Sequence, residues 1–262
     1  MNYLYPQITT RANKIFEWFA TDSPESYKEI TDFGLNLYRP GDIKYQFNSD
    51  GYRCDEFSLE SDIPILFSGC SYTEGVGVHQ TETWAYRLLE KIRNKTGKNI
   101  PYWNIGITAS GVDGQAHNLY CVDKQIDIKY IFALYPPFHR RDYRFQTHET
   151  RRWCGVDHGL KFNKASDKDL NVLFCDEPFA DHQTFRSLML IDSIRAKNNA
   201  TMYCTHWAGD TDVDDIMYNF PDLNYFPWNT ISVDIARDNQ HPGPIYHAQL
   251  ADKFWSIVEH HF

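Results

Sequence analysis

A serine inside Gly69-Cys70-Ser71-Tyr72-Thr73-Glu74-Gly75 and a distant Asp238-Asn239-Gln240-His241 have the residue types for nucleophilic acyl chemistry. A serine hydroxyl is a weak nucleophile until a neutral imidazole takes its proton, and a carboxylate on the other ring nitrogen orients that imidazole. Pro242 biases His241 away from helix, and residues i and i+3 of a turn approach closely, so Asp238 can reach the ring. A lone turn serine is commonly structural and a lone Asp-x-x-His is commonly chance; the pairing carries the reading. Competing motifs are absent. There is no Gly-x-x-x-x-Gly-Lys-Ser/Thr and no Gly-x-Gly-x-x-Gly, and Thr73 stands where a nucleophile elbow needs its last glycine. Cys70 offers an alternative thiol nucleophile, but a small, partly buried residue pointing away from the site is the expectation.

With these residues the chain resembles the SGNH hydrolases, the GDSL esterase/lipase superfamily. The serine after the first sheet strand and the C-terminal Asp-x-x-His match Ser71, Asp238 and His241. Asn104-Ile-Gly106-Ile-Thr-Ala109-Ser-Gly111 resembles the family's second block, and Phe47-Asn-Ser-Asp-Gly51-Tyr-Arg53 is similar to a run in many relatives. Three departures stand out. Cys70 replaces the aspartate of Gly-Asp-Ser, Ala109 falls on the oxyanion glycine, and Tyr135-Pro-Pro-Phe-His139-Arg140 lacks the asparagine donor of the third block. Alanine still offers the N–H that an oxyanion needs, and Arg140, ahead of His139 and Arg141, is the candidate replacement donor. The resemblance implies a three-layer α/β/α sandwich, flavodoxin-like, with a mainly parallel sheet. It further implies an ester hydrolase forming an acyl-enzyme on Ser71, with Asp238 and His241 catalytic, Ala109 at the oxyanion, and neither cofactor nor metal; Arg140 is a candidate from position alone, the alternative being that it, His139 and Arg141 face solvent or pair with carboxylates. The alternatives are O-acyl transfer to a sugar and a non-catalytic binding protein that keeps the fold. The substrate expected is a small-molecule or carbohydrate ester.

The elements that must position these groups are legible in outline. Ile63–Phe67 is an apolar run ending in Ser-Gly, the pattern of a buried parallel strand meeting a turn. A helix with Trp84, Leu88, Leu89 and Ile92 on one face follows and stops near Gly97. Strands are expected over Tyr102–Ile107, Tyr130–Tyr135 and Ala200–Thr205. Helices are expected over Val112–Val122 and Thr184–Ala196, and a last one carries Ala248, Ala251, Phe254 and Val258 along one side. His206-Trp207 could line the pocket or form a packed pair. Residues 1–60 read as an extension packed on a core of 61–262, with a helix over Thr9–Phe19 and a strand or hairpin around Ile43–Phe47. Arg53 reads as half of a structural ion pair, with a substrate anion as the alternative. An irregular, arginine- and aromatic-rich insertion is expected at about 139–182.

Composition narrows the classes. The 262 residues carry a net charge of −9 and a pI near 5.6, which argues against general nucleic-acid or anionic-membrane binding. Aromatic residues make up 16% of the chain, enough to fill a sizeable core. No apolar run approaches the roughly 18 residues of a membrane span, and the N-terminus lacks a signal-peptide pattern. The six cysteines show no Cys-x-x-Cys, so the expectation is a cytoplasmic protein with reduced thiols. Asp210–Asp215 begins like a calcium loop, but Asp215 occupies its glycine position and Pro221 its glutamate position.

Overall fold

A computed structural model describes residues 10–29, 38–138, 140–144, 150–153, 177–207, 213–228 and 231–262, with backbone alone for 141–144, 150–153 and 177–180. In chain order, β1 (Ile15–Phe16) and helix α1 (Pro24–Glu29) precede β2 (Tyr45–Gln46), and β3 (Ile65–Gly69) runs into a single helical turn, α2 (Ser71–Glu74). Helix α3 (Trp84–Thr96), β4 (Trp103–Asn104), α4 (Val112–Val122) and β5 (Tyr130–Tyr135) follow. Strands β6 (Arg141–Arg144) and β7 (Thr150–Trp153) pair as an antiparallel hairpin. Helix α5 (Glu177–Lys197), β8 (Thr201–His206), the short α6 (Val213–Met217) and α7 (Pro244–Val258) complete the described α-helices and β-strands.

The central sheet has the order β4-β3-β5-β8 with every pairing parallel. β3 is buried along its length and β5 nearly so, which is why both read as apolar runs. Consecutive strand residues face opposite sides. Phe67 meets Trp84 of α3 at 5.6 Å between ring centroids, and Trp84 in turn stacks on Phe254 of α7 at 4.9 Å. Its neighbour Ser68 reaches Gln115 of α4 at 3.4 Å on the other face. Helices α3 and α7 therefore cover one side and α4, with α5 packed on it, the other. The result is a three-layer α/β/α arrangement around one main apolar core. A separate small cluster, Tyr38, Ile43, Tyr45 and Phe47, belongs to the N-terminal segment.

Two expectations need correction. Over its described part, residues 10–19, the helix expected at Thr9–Phe19 is absent. Asn13 takes a positive φ of 56°, and β1 pairs antiparallel with β2 instead. Phe16 and Phe19 both pack on Phe47, so the apolar residues serve a ribbon and not a helix face. The insertion at about 139–182 is also not wholly irregular, because it contains the β6–β7 hairpin and the start of α5. Neither strand shows an apolar/polar alternation, which hid them. Residues 139, 145–149 and 154–176 of that stretch lie outside the described residues.

Candidate functional site

Ser71 opens α2 immediately beyond the carboxyl end of β3, the edge where open α/β sheets bind ligands. The turn is tight. A Cβ at Gly69 would lie 1.9 Å from Thr73 Oγ1, so no larger residue fits between β3 and α2. The loop after α2 then closes on the C-terminal turn. Gly77 has φ of 78°, and a Cβ there would meet Ala236 at 2.7 Å and Asp238 Oδ1 at 3.1 Å. Arg237 N donates to Gly77 O at 2.9 Å across the same junction.

That junction brings the three sequence candidates together. Ser71 Oγ lies 2.7 Å from His241 Nε2, and His241 Nδ1 lies 2.5 Å from Asp238 Oδ2. The backbone N–H groups of Gln240 and His241 donate to Asp238 Oδ1 at 3.1 and 3.0 Å. An ionised carboxylate only accepts, so the Nδ1 facing it carries the ring proton and Nε2 is left to accept from Ser71. Burial works against the charge on Asp238, but hydrogen bonds from His241 and Thr21 outweigh it and hold the carboxyl below its ordinary pKa. Asp238 and Cys70 are fully buried, and Ser71 is 5% exposed. The hydroxyl of Ser71, not the Cys70 thiol, meets the imidazole.

Ala109 is the third residue of a turn closed by Ser110 N to Ile107 O at 3.0 Å, with φ of 63°. Glycine ordinarily fills that left-handed position. Among the described residues, neither Ser71 N nor Ala109 N donates to a backbone carbonyl. The turn is held from α2. Fully buried Glu74 accepts from Thr108 N and Thr108 Oγ1, each at 2.5 Å, and pairs with Arg11 at 2.7 Å. Asn104 adds a second tie, donating to Thr73 O at 2.7 Å and accepting from Gly106 N at 2.8 Å.

Arg140 does not stand alone in solvent. Its guanidinium lies over the Trp207 ring at 5.5 Å, and Trp207 stacks on Tyr72 at 4.6 Å. Tyr72 meets the His241 ring in a T-shaped contact at 5.5 Å, so these aromatic groups line the side of the imidazole. Trp207 thus belongs to the site, while His206 packs toward Tyr225 at 3.5 Å. His139 lies outside the described residues, and Arg141 is described by its backbone alone. Among the described residues Arg53 forms no ion pair, contrary to the expected salt bridge. Buried, it donates to the carbonyls of Glu74, Gly75 and Val78 and so fixes the glycine loop. Sequence reasoning missed Thr21, Asp22, Arg237 and Glu74, whose partners are far away in the chain; no local pattern marks them. Among the described residues no cluster of His, Cys, Asp and Glu could hold a metal ion, and no helix is long and apolar enough to cross a membrane.

No family model and no curated protein matches the sequence. Solved structures do resemble the fold. The psychrotrophic esterase EstA from a Pseudoalteromonas species, in a form inhibited by monoethylphosphonate, shares 12% identity at a TM-score of 0.50. That match covers 76% of this chain and 97% of EstA. TesA is similar at 11% identity and a TM-score of 0.49, over 74% of this chain and 97% of its own. A family 3 carbohydrate esterase from Clostridium thermocellum gives 12% and 0.44, over 74% and 94%. The likeness to EstA is one of fold, and it agrees with the parallel sheet and flanking helices.

Proposed function

We propose that this chain hydrolyses carboxylic esters through an acyl-enzyme on Ser71. The observation that carries the reading is the unbroken hydrogen-bonded line Ser71 Oγ, His241 Nε2, His241 Nδ1, Asp238 Oδ2 at the carboxyl end of β3. His241 takes the hydroxyl proton on Nε2 as Ser71 Oγ attacks the carbonyl carbon, and Asp238 steadies the imidazolium. The negative charge passes to the carbonyl oxygen, held by the N–H groups of Ser71 and Ala109, with Arg140 as candidate third donor. Collapse breaks the bond to the alcohol, which leaves with the Nε2 proton. Water then gives a proton to His241 Nε2 and attacks the acyl carbon; the bond to Ser71 Oγ breaks as Nε2 returns that proton to it, releasing the acid and free Ser71.

An alkyl phosphonate, the inhibitor class seen with EstA, is the direct probe. Mass analysis of the labelled chain is expected to place one adduct on Ser71. Ser71→Ala should abolish both labelling and turnover of short-chain nitrophenyl esters, whereas Cys70→Ala should keep both. A wild-type chain inert to phosphonate and to a panel of esters would replace this reading with that of a binding protein.

A further inference from the structure

We propose that Thr21, in the N-terminal segment, is a positioning residue for the Asp238–His241 pair, so that the site is complete only with that segment docked. The inference rests on the ester-hydrolase reading for its kinetic consequence, but not for its structural one. Thr21 Oγ1 donates to Asp238 Oδ2 at 2.6 Å, the same oxygen that meets His241 Nδ1. Oδ1 already receives the two N–H groups of Gln240 and His241. An ionised carboxylate has about four lone-pair sites, and these contacts account for them. Among the described residues, Thr21 supplies the one donor from outside the 238–241 turn.

The hydroxyl is held in place on both sides. Phe19 and Asp22 exchange backbone hydrogen bonds of 2.9 and 3.0 Å around Ala20, whose φ is 57°, so Thr21 sits at the tip of a closed turn. The next residue, Asp22, grips Arg237, the neighbour of Asp238, through Nε at 2.9 Å and Nη2 at 2.6 Å. Both charged groups of that pair are fully buried. Arg237 further donates to Glu17 O at 2.7 Å and lies over Trp18 at 4.1 Å. Tyr45 completes the clamp by donating to Asp22 and accepting from Gly77 N. Two adjacent residues of the segment therefore hold two adjacent residues of the C-terminal turn. Among the described residues, the other ionisable groups around the pair are Tyr72, His247, the Asp22–Arg237 pair and, beyond Tyr72, Cys70, Tyr246 and Arg140.

A donor on Oδ2 draws charge from the carboxylate and fixes its rotamer. Without it, the carboxylate has more charge to offer the imidazolium, so the pair holds its proton more tightly and titrates at higher pH. The test uses the full chain with Thr21→Val, with Thr21→Ala in reserve should valine impair folding, and Thr21→Ser as the conservative rescue. In Thr21→Val, kcat for a nitrophenyl ester should fall about tenfold, the size of one hydrogen bond to a charged group, with KM unchanged. The acid limb of its pH profile should move upward, as should the titration of the pair followed by NMR of the His241 ring. Thr21→Ser should restore all three. A folded Thr21→Val or Thr21→Ala with an unmoved NMR titration overturns the proposal. Should the wild type itself neither turn over esters nor take up phosphonate, the functional reading fails, and the NMR titration alone still decides the role of Thr21.

Discussion

Ala109 occupies a left-handed backbone position that costs an L-residue about 1–2 kcal/mol and glycine nothing. Glu74 offsets that cost by holding Thr108 through two hydrogen bonds from a fully buried carboxylate. The N–H of Ala109 is thus held by a neighbour's anchoring and not by its own residue type. With the asparagine of the resembled family absent, Arg140 is the residue to test for a third oxyanion donor. If it serves, Arg140→Ala should lower kcat by about 10²–10³, the usual loss for one such donor, with an unaltered melting temperature. A guanidinium that merely covers Trp207 predicts unchanged kcat, and steady-state kinetics separates the two. At this scale the sequence is informative wherever chemistry is local. Asp238 and His241 are three residues apart and Ser71 follows a strand, so both halves of the hydrogen-bonded line are legible. Glu74 is not, because its acceptor role depends on Thr108, from another loop.

Among the elements, the N-terminal segment departs furthest from its sequence pattern. Ile15, Phe16 and Phe19 suit a helix by spacing, yet pairing with β2 and packing on Phe47 override propensity. The parallel strands and the helices α3, α4 and α7 are legible because burial imposes one period along each of them. A two-residue ribbon has no period to read, and the Asp22–Arg237 pair spans 215 positions. That ion pair gives the segment a measurable energetic role. Asp22→Ala leaves a buried guanidinium unpaired and should cost about 3–5 kcal/mol. For a chain of this size we expect a drop of roughly 10 °C in melting temperature, read by calorimetry. Replacing both partners together, as Asp22→Leu with Arg237→Met, should recover much of it, because no uncompensated charge then remains. A single variant as stable as wild type would show the clamp to be energetically idle.

Across the whole molecule, His247 joins the layers. On α7, it accepts from Trp84 N at the start of α3 at 3.1 Å and is almost wholly buried. Burial, with the positive charge of Arg87 adding to it, pushes its pKa down to about 3 from 6.5. Between those values the unfolded chain binds the proton and the folded chain does not, so stability falls as pH drops from about 6.5 toward 3. The slope from this one group is at most about 1.4 kcal/mol per pH unit. Asp238, with its pKa held below the ordinary 3.8, contributes a further loss only as pH falls below about 4. Urea unfolding at stepped pH should show the upper window flattened in His247→Gln; an identical slope would assign it to other groups. The clamp of Thr21 and Asp22 on Arg237 and Asp238 also sets an order of events during synthesis. Residues 21 and 22 leave the ribosome more than 200 residues ahead of their partners, and so long-range a closure comes late in folding. A nascent chain can thus bury most of its sheet while Ser71 still lacks its imidazole partner, so the line from Ser71 through His241 to Asp238 closes only after the sheet that carries the serine.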